Sequence, residues 1–257
     1  MNRIDSLFAA KSRNILSVYY PAGFPNFDDT IAVAQELERR GVDMIEIGIP
    51  FSDPMADGVV IQEAATKALK GGITLRKIFD QLKDLRQSVS MPAILMGYLN
   101  PIMQFGFEPF CQRCNEVGID GVIIPDLPYK DYIESYKSIA ESYGVEVIML
   151  ITPETSEERI RLIDSTTSGF IYMVSTASVT GAKKSFADST VEYFERVEAM
   201  KLRNPRLIGF GISNPTTLNN AYANSNGAII GSHFVKLLDN EPTIESAVDK
   251  VLSSIGL

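Results

Sequence analysis

The chain has 257 residues, of which 45% are hydrophobic, and a formal net charge of −8. That length fits one large α/β barrel or two small domains, and the acid excess, with no dense Lys/Arg run, argues against a nucleic-acid or anionic-membrane surface. No apolar run approaches the roughly 18 residues that span a bilayer, and the opening MNRIDSLFAAKSRN lacks a signal core, so a cytoplasmic protein acting on small solutes is expected.

The first dozen residues predict a short amphipathic helix, with Ile4, Leu7 and Phe8 at helical spacing, suited to closing one end of a core. LSVYYPAGFP (16–25) reads as a strand ending in a Pro/Gly turn. DDTIAVAQELERRG follows as a helix with Asp at its start and Gly41 at its stop. The strand, loop, helix unit recurs at VDMIEIGIP, AILMGYLNP, GVIIPDLP, EVIMLITPE, GFIYMVST, RLIGFGIS and GAIIGS, which makes eight strands. Each is a short, nearly continuous apolar run, as when both faces are covered, and alternation with helices calls for parallel pairing. The pattern predicts a single (β/α)8 barrel domain, a TIM barrel, over residues 1–257 with a short extra N-terminal helix. Its rival, a doubly wound open sheet, would carry a Gly-rich dinucleotide turn after the first strand, and none is there.

Active-site groups of a barrel collect at the C-terminal ends of its strands. In VDMIEIGIP, Ile45, Ile47 and Ile49 alternate with Met44, Glu46, Gly48 and Pro50. The isoleucines suit the helix-facing side, so Glu46 would point into the barrel. A lone ionised carboxylate there costs several kcal/mol or raises its pKa, so Glu46 serves either an ion pair or chemistry. No predicted strand carries an inward lysine and Arg206 only begins the seventh, which favours chemistry. Asp57, preceded by Asp53, lies in the loop FSDPMADGVVIQ, where Asp is also an ordinary turn residue. Taken as a pair, a deep Glu46 would hold its proton near neutrality while a rim Asp57 stays ionised, giving two acids two roles.

A second constellation closes the chain. Gly209-Phe210-Gly211-Ile212-Ser213 ends the seventh strand, and Gly231-Ser232 ends the eighth just before the helical run HFVKLL. Glycines let backbone N–H groups approach an anion and a helix N-terminus adds a favourable dipole, which together suit phosphate, although GFG alone could be a tight turn. Lys183 and Lys184 sit on the long, Gly/Ser-rich loop after the sixth strand, so a Schiff-base aldolase is disfavoured. The single histidine, His233, cannot build a His-rich metal site and reads as a helix-start residue. Cys111 and Cys114 read as two reduced thiols at helical spacing, with no further CxxC or nearby His to complete a zinc set. Acid/base chemistry without metal, on a phosphorylated substrate, remains.

The run IEIGIPFSDPMADG resembles the signature of the tryptophan synthase alpha subunit family. The likeness continues through SLFA, PAGFP, MGYLNP, PDLP, YMVSTASVTG, GFGIS and GSHFVK, in order along the whole chain. The resemblance implies a lyase that cleaves indole-3-glycerol phosphate to indole and glyceraldehyde 3-phosphate. It implies Glu46 as the acid/base and Asp57 as the carboxylate that hydrogen-bonds the indole N–H. Tyr172 matches an aromatic flanking the pair, Thr180 and Gly181 match closing-loop residues, and Gly211, Gly231 and Ser232 match the phosphate cradle. Tyr19, Ile61, Tyr98 and Phe210 match the pocket around indole and glycerol. The resemblance further implies a beta subunit in an alpha-beta-beta-alpha heterotetramer, facing the loops at Pro54 and Pro128. That partner would join indole to serine with pyridoxal phosphate, leaving no cofactor in this chain.

Departures from the family pattern are modest. Ser178 stands where many relatives carry a Gly, His233 where a small residue is common, and Pro21 and Phe24 occupy positions that often hold Thr and Asp or Tyr. None touches the two acids. A free-standing lyase, or a weak barrel acting mainly as an allosteric binding partner, is the alternative; intact Glu46, Asp57 and both glycine turns argue against decay.

Overall fold

The computed structural model describes residues 2–175 and 186–257. The apolar runs become strands β1 (Ile15–Pro21), β2 (Met44–Gly48), β3 (Ala93–Met96), β4 (Gly121–Ile123), β5 (Glu146–Ile151), β6 (Ile171–Val174), β7 (Arg206–Gly209) and β8 (Gly227–Ile230). All pair in parallel, each with its sequence neighbour, and β8 returns to β1 to close the barrel. Closure leaves no strand edge, and helices cover the outside.

Two apolar layers follow from the alternation. Met44, Ile94, Ile123, Ile148, Tyr172, Leu207 and Ile229 fill the interior, while Ile45, Ile47, Leu95 and Ile208 face the helices. The N-terminal helix Arg3–Ala10 seals the N-terminal end as its spacing predicts: Ile4 is fully buried in the interior cluster, with Leu7 and Phe8 packed against it. Asn2 starts that helix by accepting the Ile4 N–H at 2.9 Å, and its amide reaches the Asp120 carbonyl at 2.7 Å.

Asp120 is the polar hub of this floor. Its buried carboxylate accepts from Arg3 at 3.0 Å, from Arg86 at 2.7 Å and from the Ala93 N–H at 2.9 Å. Arg86 spends its remaining donors on the carbonyls of Gly118, Val89 and Met91. The predicted start of the helix Thr30–Arg39 differs in one detail: Asp29 precedes it, but its carboxylate accepts from Asn26 instead of capping the helix. Cys111 and Cys114 lie on the helix Phe107–Val117 as buried free thiols, and burial pushes Cys111 up to about 12.

Candidate active site

Glu46 sits mid-strand on β2, in register with Tyr19 of β1 and Ile94 of β3, and its side chain is wholly buried inside the barrel. Among the described residues no basic side chain pairs with it, and Arg206 instead pairs with Glu198. The Ser17 hydroxyl donates to Glu46 Oε1 at 3.0 Å, and Oε2 has no hydrogen-bond partner among the described residues. Burial raises the Glu46 pKa to about 8, against the opposing pull of the Ser17 hydrogen bond, so the acid is mostly protonated at neutral pH.

Asp57 lies half-buried on the loop after β2. Tyr98, just after β3, holds it: the phenol donates to Asp57 Oδ2 at 3.0 Å and accepts the Ala56 N–H at 2.9 Å. Burial also raises the Asp57 pKa, with the Tyr98 hydrogen bond working against it, and the larger rise falls on Glu46. Asp53 is exposed and accepts the neighbouring Ser52 hydroxyl.

The two acids line one pocket at the C-terminal mouth of the barrel. Tyr19, Ile61, Tyr172 and Phe210 line its walls, and Gly211, Gly231 and Ser232 its far side. Tyr98 stands behind Asp57 instead of on the wall. A side chain at Gly48 or Gly209 would collide with the hydroxyl of Tyr19 or Tyr172, respectively, so these glycines let each ring lie across the neighbouring strand. Phe210 and Gly211 have φ of +71° and +77°. A non-glycine residue held there costs on the order of 1–3 kcal/mol, and Ser175 secures it by donating to the Phe210 carbonyl at 2.8 Å. Gly231 opens the helix Ser232–Asn240, whose first-turn N–H groups lack intrahelical acceptors and whose dipole favours an anion.

The sequence profile described as "Tryptophan synthase alpha chain" matches residues 6–256. A curated protein of that name from Phocaeicola vulgatus is 62% identical over 256 residues, covering 99% of both chains. Another, from Flavobacterium johnsoniae, is 52% identical over 256 residues, covering 100% of this chain and 99% of the other. This chain belongs to the tryptophan synthase alpha chain family. Among solved structures, the tryptophan synthase alpha subunit of Legionella pneumophila superposes with a TM-score of 0.88 at 32% identity, over 99% of this chain and 97% of that one. A mutant tryptophan synthase alpha-subunit from Pyrococcus furiosus gives a TM-score of 0.85 at 33% identity, covering 95% and 99%.

Within this alpha-chain family member, the described site residues expected from sequence converge on one end of the barrel. Thr180 and Gly181 lie outside the described residues, as do Ser178, Lys183 and Lys184. His233 falls in the first turn of Ser232–Asn240, half-buried, with Nε2 2.7 Å from the Ser254 hydroxyl oxygen. Sequence reasoning missed Ser17, Ser175, Met96, Ile212 and Ile229. The three apolar residues complete the cavity wall, and strand alternation could have placed Ile229 inward. The serines carry no such signal, because their partners lie 29 and 35 residues away in the chain.

Proposed function

We propose that this chain, acting as one barrel domain, cleaves indole-3-glycerol phosphate to indole and glyceraldehyde 3-phosphate with Glu46 and Asp57 as its working acids. Support comes from a deep, mostly protonated carboxyl and a rim carboxylate opening on one cavity whose far side is a glycine-lined helix start. Glu46 delivers a proton to indole C3, which makes the ring an electron sink. Asp57, ionised, accepts the indole N–H and stabilises the positive charge that develops on the ring. The C–C bond to the glycerol then breaks, its electron pair returning to the ring, as the adjacent hydroxyl loses its proton to Glu46 and becomes the aldehyde. A group near pKa 8 can both give and take that proton at neutral pH. Gly211, Gly231 and Ser232 hold the phosphate, while Tyr19, Ile61, Tyr172 and Phe210 enclose indole and glycerol.

The indole passes to a beta subunit that carries pyridoxal phosphate, in an alpha-beta-beta-alpha assembly in the cytoplasm. Met55 is 90% exposed and Val59 66% exposed on either side of Asp57, an apolar pair suited to a partner surface at the Pro54 loop. Among the described residues no helix is long and apolar enough to cross a membrane. Indole release from indole-3-glycerol phosphate by the purified chain, alone and with a beta subunit, tests the reading. No turnover in either case removes it, and full turnover without a partner, unchanged on adding one, removes the obligate pairing.

A further inference from the structure

Ser17 is an inward residue of β1, flanked on the same face by Ile15 of the interior cluster and by Tyr19 of the cavity wall. It is fully buried, and its hydroxyl is committed to one oxygen of one side chain, Glu46 Oε1, across 3.0 Å. Glu46 Oε2 is equally buried and has no hydrogen-bond partner among the described residues, although the Glu46 side chain borders the cavity. A buried carboxylate oxygen left unpaired beside a paired one costs stability unless something else uses it. We propose that Ser17 is a positioning residue that fixes the two oxygens of Glu46 in different roles, holding Oε1 as a permanent acceptor and leaving Oε2 as the oxygen that exchanges protons with substrate.

Hydrogen-bond chemistry supplies the reason. A neutral carboxyl accepts most strongly at its carbonyl oxygen, so a hydroxyl donating to Oε1 places the acid's own proton on Oε2. After that proton is given up, Ser17 keeps its bond to Oε1, and Oε2 is the base that takes the next one. One oxygen therefore works in both directions without rotation of the carboxyl. The same bond favours the ionised form and limits how far burial drives the group. Among the described residues the other titratable groups facing Glu46 are Tyr19 from β1, Tyr172 from β6 and Asp57 from the loop after β2. None of these can supply a positive charge, and Ile94 and Met96 of β3 and Ile229 of β8 are apolar. Among the described residues, Ser17 is thus the donor that favours the Glu46 carboxylate.

The inference rests on Glu46 being the acid/base of the proposed reaction, but it can be read without turnover. The Glu46 carboxyl is titrated by 13C NMR in the folded, substrate-free chain, using Glu46→Gln to assign the signal, in wild type, Ser17→Ala and Ser17→Thr. Loss of the hydroxyl in Ser17→Ala moves the Glu46 midpoint upward by about one pH unit, and Ser17→Thr, which returns a hydroxyl, brings it back. In turnover the alkaline limb of kcat/KM, set by the protonated Glu46 that starts the cycle, moves to higher pH by the same amount, so the fall of Ser17→Ala in alkali lags that of wild type by up to about tenfold. If Ser17→Ala does not fold, Ser17→Cys takes its place, with the same upward shift expected from its weaker donor. An unchanged Glu46 midpoint in a folded variant lacking the hydroxyl overturns the proposal. So does a Ser17→Thr chain that shifts as Ser17→Ala does, since packing would then be the cause. A wild-type chain that shows these shifts yet releases no indole defeats the proposed reaction and leaves the Ser17–Glu46 coupling standing.

Discussion

Two glutamates, the buried Glu46 and the partly buried Glu146, stand towards opposite ends of the same barrel with similarly raised pKa values and different surroundings. Glu46 of β2 and Glu146 at the start of β5 are each raised to a pKa of about 8, and each has a buried Oε2 with no hydrogen-bond partner among the described residues. For Glu46 burial is the cause, opposed by Ser17. For Glu146 burial is joined by the like charges of Asp5 and Asp120 on the barrel floor. Glu46 opens on a cavity with a second acid and a glycine-lined helix start. Glu146 lies against Gly169, so tightly that a side chain there would strike its carboxylate. A perturbed acid is therefore only a candidate for chemistry, and what else converges on it decides the matter.

The comparison breaks most sharply on activity. Glu46→Gln is expected to lower kcat for indole release by at least 100-fold, while Glu146→Gln stays within about twofold of wild type. Steady-state assays of the two variants side by side check this, and a comparable loss in both would erase the distinction. Asp57→Asn keeps the shape but loses the charge, and a drop in kcat of roughly 100-fold is expected from the same assay.

On stability the floor matters more than the mouth. Asp120→Ala leaves Arg86 and the Ala93 N–H without their acceptor, and a loss of about 3 kcal/mol in urea unfolding is expected. Activity per folded molecule should persist, because Asp120 lies at the end opposite the cavity. The two glutamates then rejoin each other. A carboxyl whose folded pKa exceeds its unfolded value binds more protons folded than unfolded, so its stabilising contribution is complete below about 4.5 and is lost as pH rises through about 8. Both Glu46→Gln and Glu146→Gln should flatten that decline, giving a higher Tm than wild type at pH 8.5 and little difference near pH 5, measured by thermal melts. The smallest effect is at Ser175: Ser175→Ala frees the Phe210 carbonyl, costs about 1 kcal/mol and raises KM more than it lowers kcat.

The barrel was legible because its strands are covered on both faces, which writes each as an unbroken apolar run with a helix after it. Glu46 was legible for the same reason, since an acid contradicts the run it interrupts. Asp57 needed its neighbour to be noticed, because a loop aspartate alone looks like turn chemistry. Ser17 was hidden, as a serine in a strand is unremarkable until β1 and β2 are set in register and its hydroxyl meets Glu46. Gly48 was placed on the inward face, but its reason is the Tyr19 hydroxyl lying across from β1. The Asp120 hub joins Arg3 and Arg86 across 117 and 34 residues, a closure that no local pattern announces.

The left-handed backbone at Phe210 and Gly211 is anchored by Ser175. In the proposed phosphate-binding role, a turn shaped by the packing of the barrel puts the entropy of ordering it into folding. On that proposed role, affinity for the anion is tied to the junction of β6 and β7 that the Ser175 hydroxyl and the Phe210 carbonyl make.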